Sequence, residues 1–129
     1  MPGPWDASIK LLYPVDQGQF TTIDDIDNNT PFDAIANVEV GENLNENVDD
    51  FALRVAVRNL TQSTTVQIQE LKGALTPADD TTFQAEERVS FNAPNQTAGD
   101  VLQAVASHRV NAGANSDFSS AESVTLTVS

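Results

Sequence analysis

Residues 101–129 read VLQAVASHRVNAGANSDFSSAESVTLTVS, and this stretch decides the fold class. An apolar run leads into a turn region of Asn, Ala, Gly and Ser, and the residues then alternate between apolar and polar to the end. Such alternation is typical of a strand with one buried and one solvated face. We therefore expect a long β-hairpin that closes a sheet, with Val124, Leu126 and Val128 buried in its final strand.

The first half of this hairpin, residues 101–110, has two interpretations. As a strand, it places alternate apolar side chains and His108 on one face. As a helix, Asp100 would cap it and Val101, Val105 and His108 would form a stripe. Alanine favours the helix by local propensity, whereas the short flanking loops and strand-rich surroundings favour the strand, which we predict.

Five further segments have the alternation of half-buried strands, namely residues 8–15, 32–40, 51–59, 64–69 and 83–91. In the first, Leu11 is predicted to share a face with Ile9. In the fourth, Val66 and Ile68 are predicted to point inward, with residues 51–59 and 64–69 paired as a hairpin. Residues 72–82 contain Gly73 and Pro77 and are predicted to form a crossing loop.

About seven short strands, turn-rich connections and little helix predict an all-β fold: an antiparallel two-sheet sandwich, immunoglobulin-like or jelly-roll-like. The length of 129 residues suits one such domain over residues 1–129.

The closing hairpin resembles the last hairpin of immunoglobulin-like and fibronectin type III domains. The resemblance covers residues 101–129 only and lies in the apolar run, the Asn111-Ala112-Gly113 turn, Ser116-Asp117-Phe118-Ser119 and the alternating run that follows. It implies a Greek-key sandwich. The only tyrosine, Tyr13, and the only tryptophan, Trp5, stand outside the positions those families use. A jelly roll or another Greek-key barrel therefore stays open as the alternative.

Charge is the strongest functional signal. Nineteen acidic residues oppose six basic ones, which gives a net charge of −13, and only two of the basic residues are lysines. This Asp-rich, Lys-poor composition resembles that of proteins from extreme halophiles, in which high salt screens the self-repulsion of the chain. Residues 1–50 alone carry a net −10. We expect no binding to nucleic acid and no insertion into a membrane.

No cysteine is present, so the sequence offers neither a disulfide nor a thiolate site. The first five residues, Met-Pro-Gly-Pro-Trp, lack the basic and apolar regions of a secretory signal. We predict no catalytic residues, no cofactor and no enzymatic activity, because His108 is the only histidine and lacks a relay partner in the sequence.

A weak calcium-loop pattern begins at Asp25, Asp27 and Asn29, but Thr30 occupies the position where an EF-hand has glycine. Candidate metal ligands are these three residues together with Glu42 and Asp49 of a second acidic loop. The alternative is a solvated acidic surface. Three Asn-x-Thr sequences, which begin at Asn28, Asn59 and Asn95, fall at predicted turns where a glycan could be attached.

Arg54 and Arg58 are predicted to share the solvent face of one strand and are the interface candidates. They could pair with acids on neighbouring strands or reach a carboxylate on another subunit. The leading hypothesis is a non-enzymatic structural protein of a halophile, most specifically a virion component such as a capsid decoration, turret, vertex or tail subunit. It would assemble with other protein subunits as a homo-oligomer or a larger assembly, in the virion or at the cell surface. The alternative is an extracellular accessory module that binds a glycan or Ca²⁺.

Overall fold

Strands make up most of the computed structural model, which describes residues 7–20, 23–46, 48–78 and 82–129. In chain order the elements are β1 (Ala7–Asp16), β2 (Asp25–Ile26), β3 (Phe32–Val40), α1 (Glu42–Asn45), β4 (Asp50–Asn59), β5 (Thr64–Ala74), β6 (Phe83–Phe91), β7 (Val101–Ala112), β8 (Asn115–Glu122) and β9 (Leu126–Val128). No helix in this part of the chain is long and apolar enough to cross a membrane.

The strands form two sheets. Sheet A has the order β1-β3-β6, and sheet B has the order β2-β9-β7-β4-β5 with β8 also paired to β7. The long strands pair antiparallel, and the short β2–β9 pair is parallel. The predicted all-β two-sheet sandwich is confirmed, and its seven strands of eight or more residues match the expected number.

The core fills the space between the sheets because each long strand turns its apolar set inward. Sheet B contributes Leu53, Val55 and Val57 from β4 and the alternate residues of β7, and sheet A contributes Ala34 and Ala36. A second cluster closes one end of the sandwich, where α1 packs on the sheets; its buried members are Ala7, Val40, Leu44, Val48, Val110 and Ala112.

The closing hairpin exists, but it ends differently from the prediction. Residues 101–110 are strand, and their alternate residues are buried, so the tertiary context overrides alanine's helix propensity. Gly113, at φ 61°, opens the two-residue turn between the paired residues Ala112 and Asn115. The segment 116–119, which the resemblance places before the final alternating run, lies within β8. The predicted last strand is wrong at Val124, which is exposed in a gap between β8 and β9.

Two bulges overturn the predicted faces of β1 and β5. The register of β1 shifts between Ile9 and Leu11, so Leu11 points to solvent instead of sharing a face with Ile9. A similar shift opposite Val57 and Arg58 turns Ile68 outward. The β5 strand also runs to Ala74, beyond the predicted start of the loop.

Strand β3 was expected to be half-buried, but nearly all of it is buried on both faces. Its inner face packs in the core as predicted. Its outer face carries Asp33, Ile35 and Glu39, which are covered because β3 is the middle strand and charged neighbours and the loop after β1 fold over it.

Candidate functional site

The outer face of sheet B collects four of the six basic residues of the chain. Arg54, Arg58, Arg109 and Lys72 lie on adjacent strands β4, β7 and β5, at positions whose neighbours in sequence point into the core. We call this surface the arginine face. The acids on the same surface are Asp50, Glu70 and Glu122. Positive and negative charges therefore nearly cancel on this surface, although the chain as a whole has a net charge of −13.

Three of these cations have no carboxylate partner among the described residues. Glu70, which lies across from Arg54, instead bonds Lys72 at 2.9 Å between Oε1 and Nζ. Among the described residues, Arg54, Arg58 and Arg109 have no carboxylate within 4.0 Å. The intramolecular pairing that the sequence allowed for the two interface candidates is therefore not formed within that part of the chain. Their guanidinium groups remain able to donate to an external acceptor.

The outer face of sheet A uses its two cations differently. Arg88 Nη1 donates to Asp33 Oδ2 at 2.6 Å, Arg88 Nη2 donates to the carbonyl of Gln19, and the ring of Phe20 lies 4.8 Å from the guanidinium carbon. Burial alone would raise the pKa of Asp33. The hydrogen bonds from Arg88 and from the Gly18 amide outweigh burial and hold that pKa below its usual range.

Lys10, the bulged residue of β1, forms the second ion pair of this face, with Glu39. Its Nζ lies 2.9 Å from Glu39 Oε2, and Gln84 Nε2 donates to Glu39 Oε1 at 3.5 Å. The hydrogen bond from Lys10 lowers the pKa of Glu39 against the opposing effect of burial. These residues line a cavity of about 570 Å³ together with Asn37 and Glu86.

A second cavity of about 420 Å³ lies where β1 meets the gap between β8 and β9. It is apolar and is lined by Leu11, Leu12, Tyr13, Phe20 and Val124. We call it the seam pocket. The doublet Leu11-Leu12, which breaks strict alternation, is the sequence signal that could have indicated the bulge that creates it.

The candidate metal ligands are not brought together. Asp25 and Asp27 lie beside β9, near the start of β7, whereas Asp49 lies at the end of β7, where its Oδ2 accepts the Gly113 amide. Ten residues of strand separate these ends, or about 33 Å at ~3.3 Å per residue.

The remaining candidate ligands are Asn29, which lies in the same turn as Asp27, and Glu42. Asp27 Oδ1 accepts the Asn29 amide in a turn. The side chain of Glu42 lies outside the described residues. Within the described residues, no three acidic or histidine side chains are grouped so as to hold a metal ion.

His108 is buried on the core face of β7, between Leu53 of β4 and Ser119 of β8. Its ring centroid lies 6.0 Å from that of Phe51, and its Nδ1 has no hydrogen-bond partner among the described residues. Burial lowers the pKa of His108 to about 4. A neutral buried imidazole without a described carboxylate partner is a core residue.

The side chains of two of the three Asn-x-Thr asparagines form hydrogen bonds within the protein. Asn59 is buried at the end of β4, where its Nδ2 donates to Asp100 Oδ2 at 2.8 Å and to Gln96 Oε1 at 3.0 Å. The amide of Asn28 bonds both the N–H and the carbonyl of Gln96. The expectation of accessible turns is therefore wrong for Asn59, and of the three only Asn95 is exposed.

Comparison with known proteins supports the fold. No protein-family model matches the chain, and no curated protein matches it by sequence. Among solved structures, the C-terminal domain of wzt aligns with a TM-score of 0.62 over 98% of this chain and 75% of that one, at 11% identity. A structure described as a beta-galactosidase from Bacteroides fragilis aligns with a TM-score of 0.48 over 92% of this chain and 17% of that one, at 13% identity. The first likeness supports a β-sandwich fold and nothing finer.

Proposed function

We propose that this protein is a non-enzymatic structural subunit that joins other protein subunits through the arginine face. One observation carries the proposal: three arginines share one sheet face without a carboxylate partner among the described residues, in a chain with more than three acids for every base. Arginine donates in a planar fork that matches carboxylates, so the acidic surface of a neighbouring copy is the natural acceptor.

High salt favours such an association. At low ionic strength, the like charge of two −13 chains opposes contact over the long Debye length. In molar salt that repulsion is screened within about 3 Å, while guanidinium–carboxylate hydrogen bonds act at contact distance. We therefore place the protein in a high-salt environment, as a virion component of a halophile or a surface subunit. Capsid or portal genes beside its own would support the virion assignment.

Light scattering in ~3 M and ~0.1 M salt tests the assembly proposal. The wild-type protein should associate in high salt, and the double variant Arg54→Gln/Arg58→Gln should associate more weakly. The variant Thr30→Glu/Thr97→Glu is the matched control, because it reaches the same net charge of −15 at exposed turn residues outside the strands of the arginine face. A strict monomer at both salt concentrations, or equal weakening by the control, would reject the arginine face as the joining surface.

The finer fold assignment, an immunoglobulin-like or fibronectin type III-like sandwich, is also a proposal. It rests on the resemblance of the closing hairpin and on the seven long strands in two sheets.

A carbohydrate-binding module is the second candidate function, and the 570 Å³ cavity on sheet A favours it. The cavity is lined by the side-chain amides of Asn37 and Gln84 and by the carboxylates of Glu39 and Glu86. Such groups form hydrogen bonds with sugar hydroxyls. Asn37 Oδ1 is buried without a hydrogen-bond partner among the described residues. Titration calorimetry with neutral glycans should detect binding that Gln84→Ala weakens and the exposed change Gln62→Ala does not. No grouping of described residues favours the calcium half of this alternative.

A further inference from the structure

Two irregularities in strand pairing expose apolar side chains at one place. The β1 bulge leaves Leu11 58% exposed. On the other side of the seam pocket, Ser123 occupies the gap between β8 and β9. Its amide donates to the Ala104 carbonyl, and its Oγ accepts a hydrogen bond from the Ala104 amide. The next residue, Val124, is consequently turned out and is 61% exposed. Bulges commonly re-aim side chains in this way, and neither side chain contributes to the core.

Both side chains open onto the seam pocket. Phe20, 67% exposed, lines it as well, so three of the six large hydrophobic residues that are exposed in the described part of the chain meet at one cavity. Its volume of about 420 Å³ is sufficient for an aromatic side chain. Converging exposed apolar groups are typical of an interaction site, whereas scattered ones are not.

An exposed aromatic side chain of the size that such a pocket could hold lies elsewhere on the same chain. Phe118 is 67% exposed on the outer face of β8, directly across from Arg109. It therefore stands at the border of the arginine face. Aromatic residues and arginine are both enriched in protein interfaces.

The charges around the two features are opposite. Two acids lie on segments that adjoin the residues of the pocket. The Asp16 carbonyl accepts the amide of Gln19, the residue before Phe20, and Asp24 follows Ile23, whose amide donates to the Pro14 carbonyl, next to Tyr13. Both acids are exposed. Asp16 and Asp24 thus form an acidic rim on one side of the seam pocket, which complements Arg109 beside Phe118.

Phe118 cannot fill the pocket of its own chain. It points outward from sheet B, and six residues separate it from Val124, which is about 20 Å of extended chain. We propose that Phe118 of one copy inserts into the seam pocket of a second copy, with arginines facing the acidic rim. This inference rests on the proposed self-association and identifies the hydrophobic contact that sets its geometry.

The absence of cysteine in the chain makes the contact directly testable. Two proteins, Phe118→Cys and Val124→Cys, are mixed in ~3 M salt under mild oxidation. We expect a mixed disulfide dimer to accumulate. Leu60→Cys mixed with Val124→Cys is the matched control, since Leu60 is also exposed but lies in the turn after β4, at the far end of sheet B from Arg109; it should give little product.

A second measurement uses light scattering. Phe118→Ser should weaken association roughly 10- to 30-fold, as expected for a central interface residue, whereas Leu60→Ser, in the turn after β4, should change it little. Association that Phe118→Ser leaves intact, with no selectivity in the disulfide experiment, would overturn this inference while the arginine-face proposal stands. A wild-type protein that stays monomeric would overturn both.

Discussion

At the scale of single residues, the buried Asp33–Arg88 pair is a contact whose loss should be costly. The Asp33 carboxylate is almost completely buried, and its pair with Arg88 ties the loop after β1 to the outer face of sheet A. Removing one partner of a buried pair leaves a charge without compensation, which destabilises proteins more than the pair itself stabilises them.

We therefore predict that Arg88→Ala lowers the free energy of unfolding by about 3 kcal/mol at pH 7, measured by urea denaturation. The penalty should shrink near pH 4, because a carboxyl without its cation takes up a proton more readily and the buried charge disappears. Arg58→Ala, which removes an exposed arginine without a described carboxylate partner, is the control and should change stability by less than about 0.5 kcal/mol. A penalty that does not vary with pH would contradict this account.

His108 gives a second prediction at this scale. The folded protein keeps His108 neutral down to a pKa of about 4, whereas the unfolded chain protonates it near 6.5. The unfolded state therefore binds the extra proton as the pH falls, and stability is lost from about 6.5 to about 4. The difference corresponds to about 3 kcal/mol.

The measurement is the pH dependence of unfolding free energy in the wild type and in His108→Leu. The stability difference between them should change across that pH interval in favour of the leucine variant, since leucine takes up no proton. Parallel curves would show that His108 is not held neutral by burial.

At the scale of elements, Ser123 makes the break between β8 and β9 possible. Its backbone amide and its hydroxyl together satisfy both polar backbone groups of Ala104, which the interrupted ladder leaves without a strand partner. Ser123→Ala should cost about 1–2 kcal/mol in a denaturation experiment, because it leaves a buried N–H group without an acceptor. Ser120→Ala, at an exposed position of β8, is the comparison; equal losses in the two variants would argue against this role for Ser123.

Alternation predicted which segments are strands, but it could not predict where pairing slips. The faces of β4 and β7 agree with the sequence because both strands pair on two sides and their apolar residues fill the core. The edge strands β1 and β5 each contain a bulge, and one extra residue reverses every later face. Arg54 and Arg58 were therefore identified from the sequence, whereas the seam pocket was not.

At the scale of the whole molecule, we expect the high net negative charge to oppose folding. A net charge of −13 on one small sandwich creates repulsion that folding concentrates into a smaller volume. We predict that the thermal unfolding midpoint rises between ~0.1 M and ~3 M KCl, because salt screens that repulsion. Scanning calorimetry in sorbitol of equal osmolality is the control, since sorbitol does not screen charge. Full stability in ~0.1 M salt would contradict the proposed adaptation to high salt.

By itself, the sequence determined the fold class, the strand character of most segments, and the charge that any function must accommodate. These properties follow from local periodicity and composition, which need no knowledge of distant neighbours. Tertiary structure alone decided that the two acidic loops stand at opposite ends of β7, that three arginines have no described carboxylate partner, and that Leu11, Phe20 and Val124 meet at one pocket. Each of these facts depends on strand order and register, which join residues far apart in the chain and can be shifted by a single bulge.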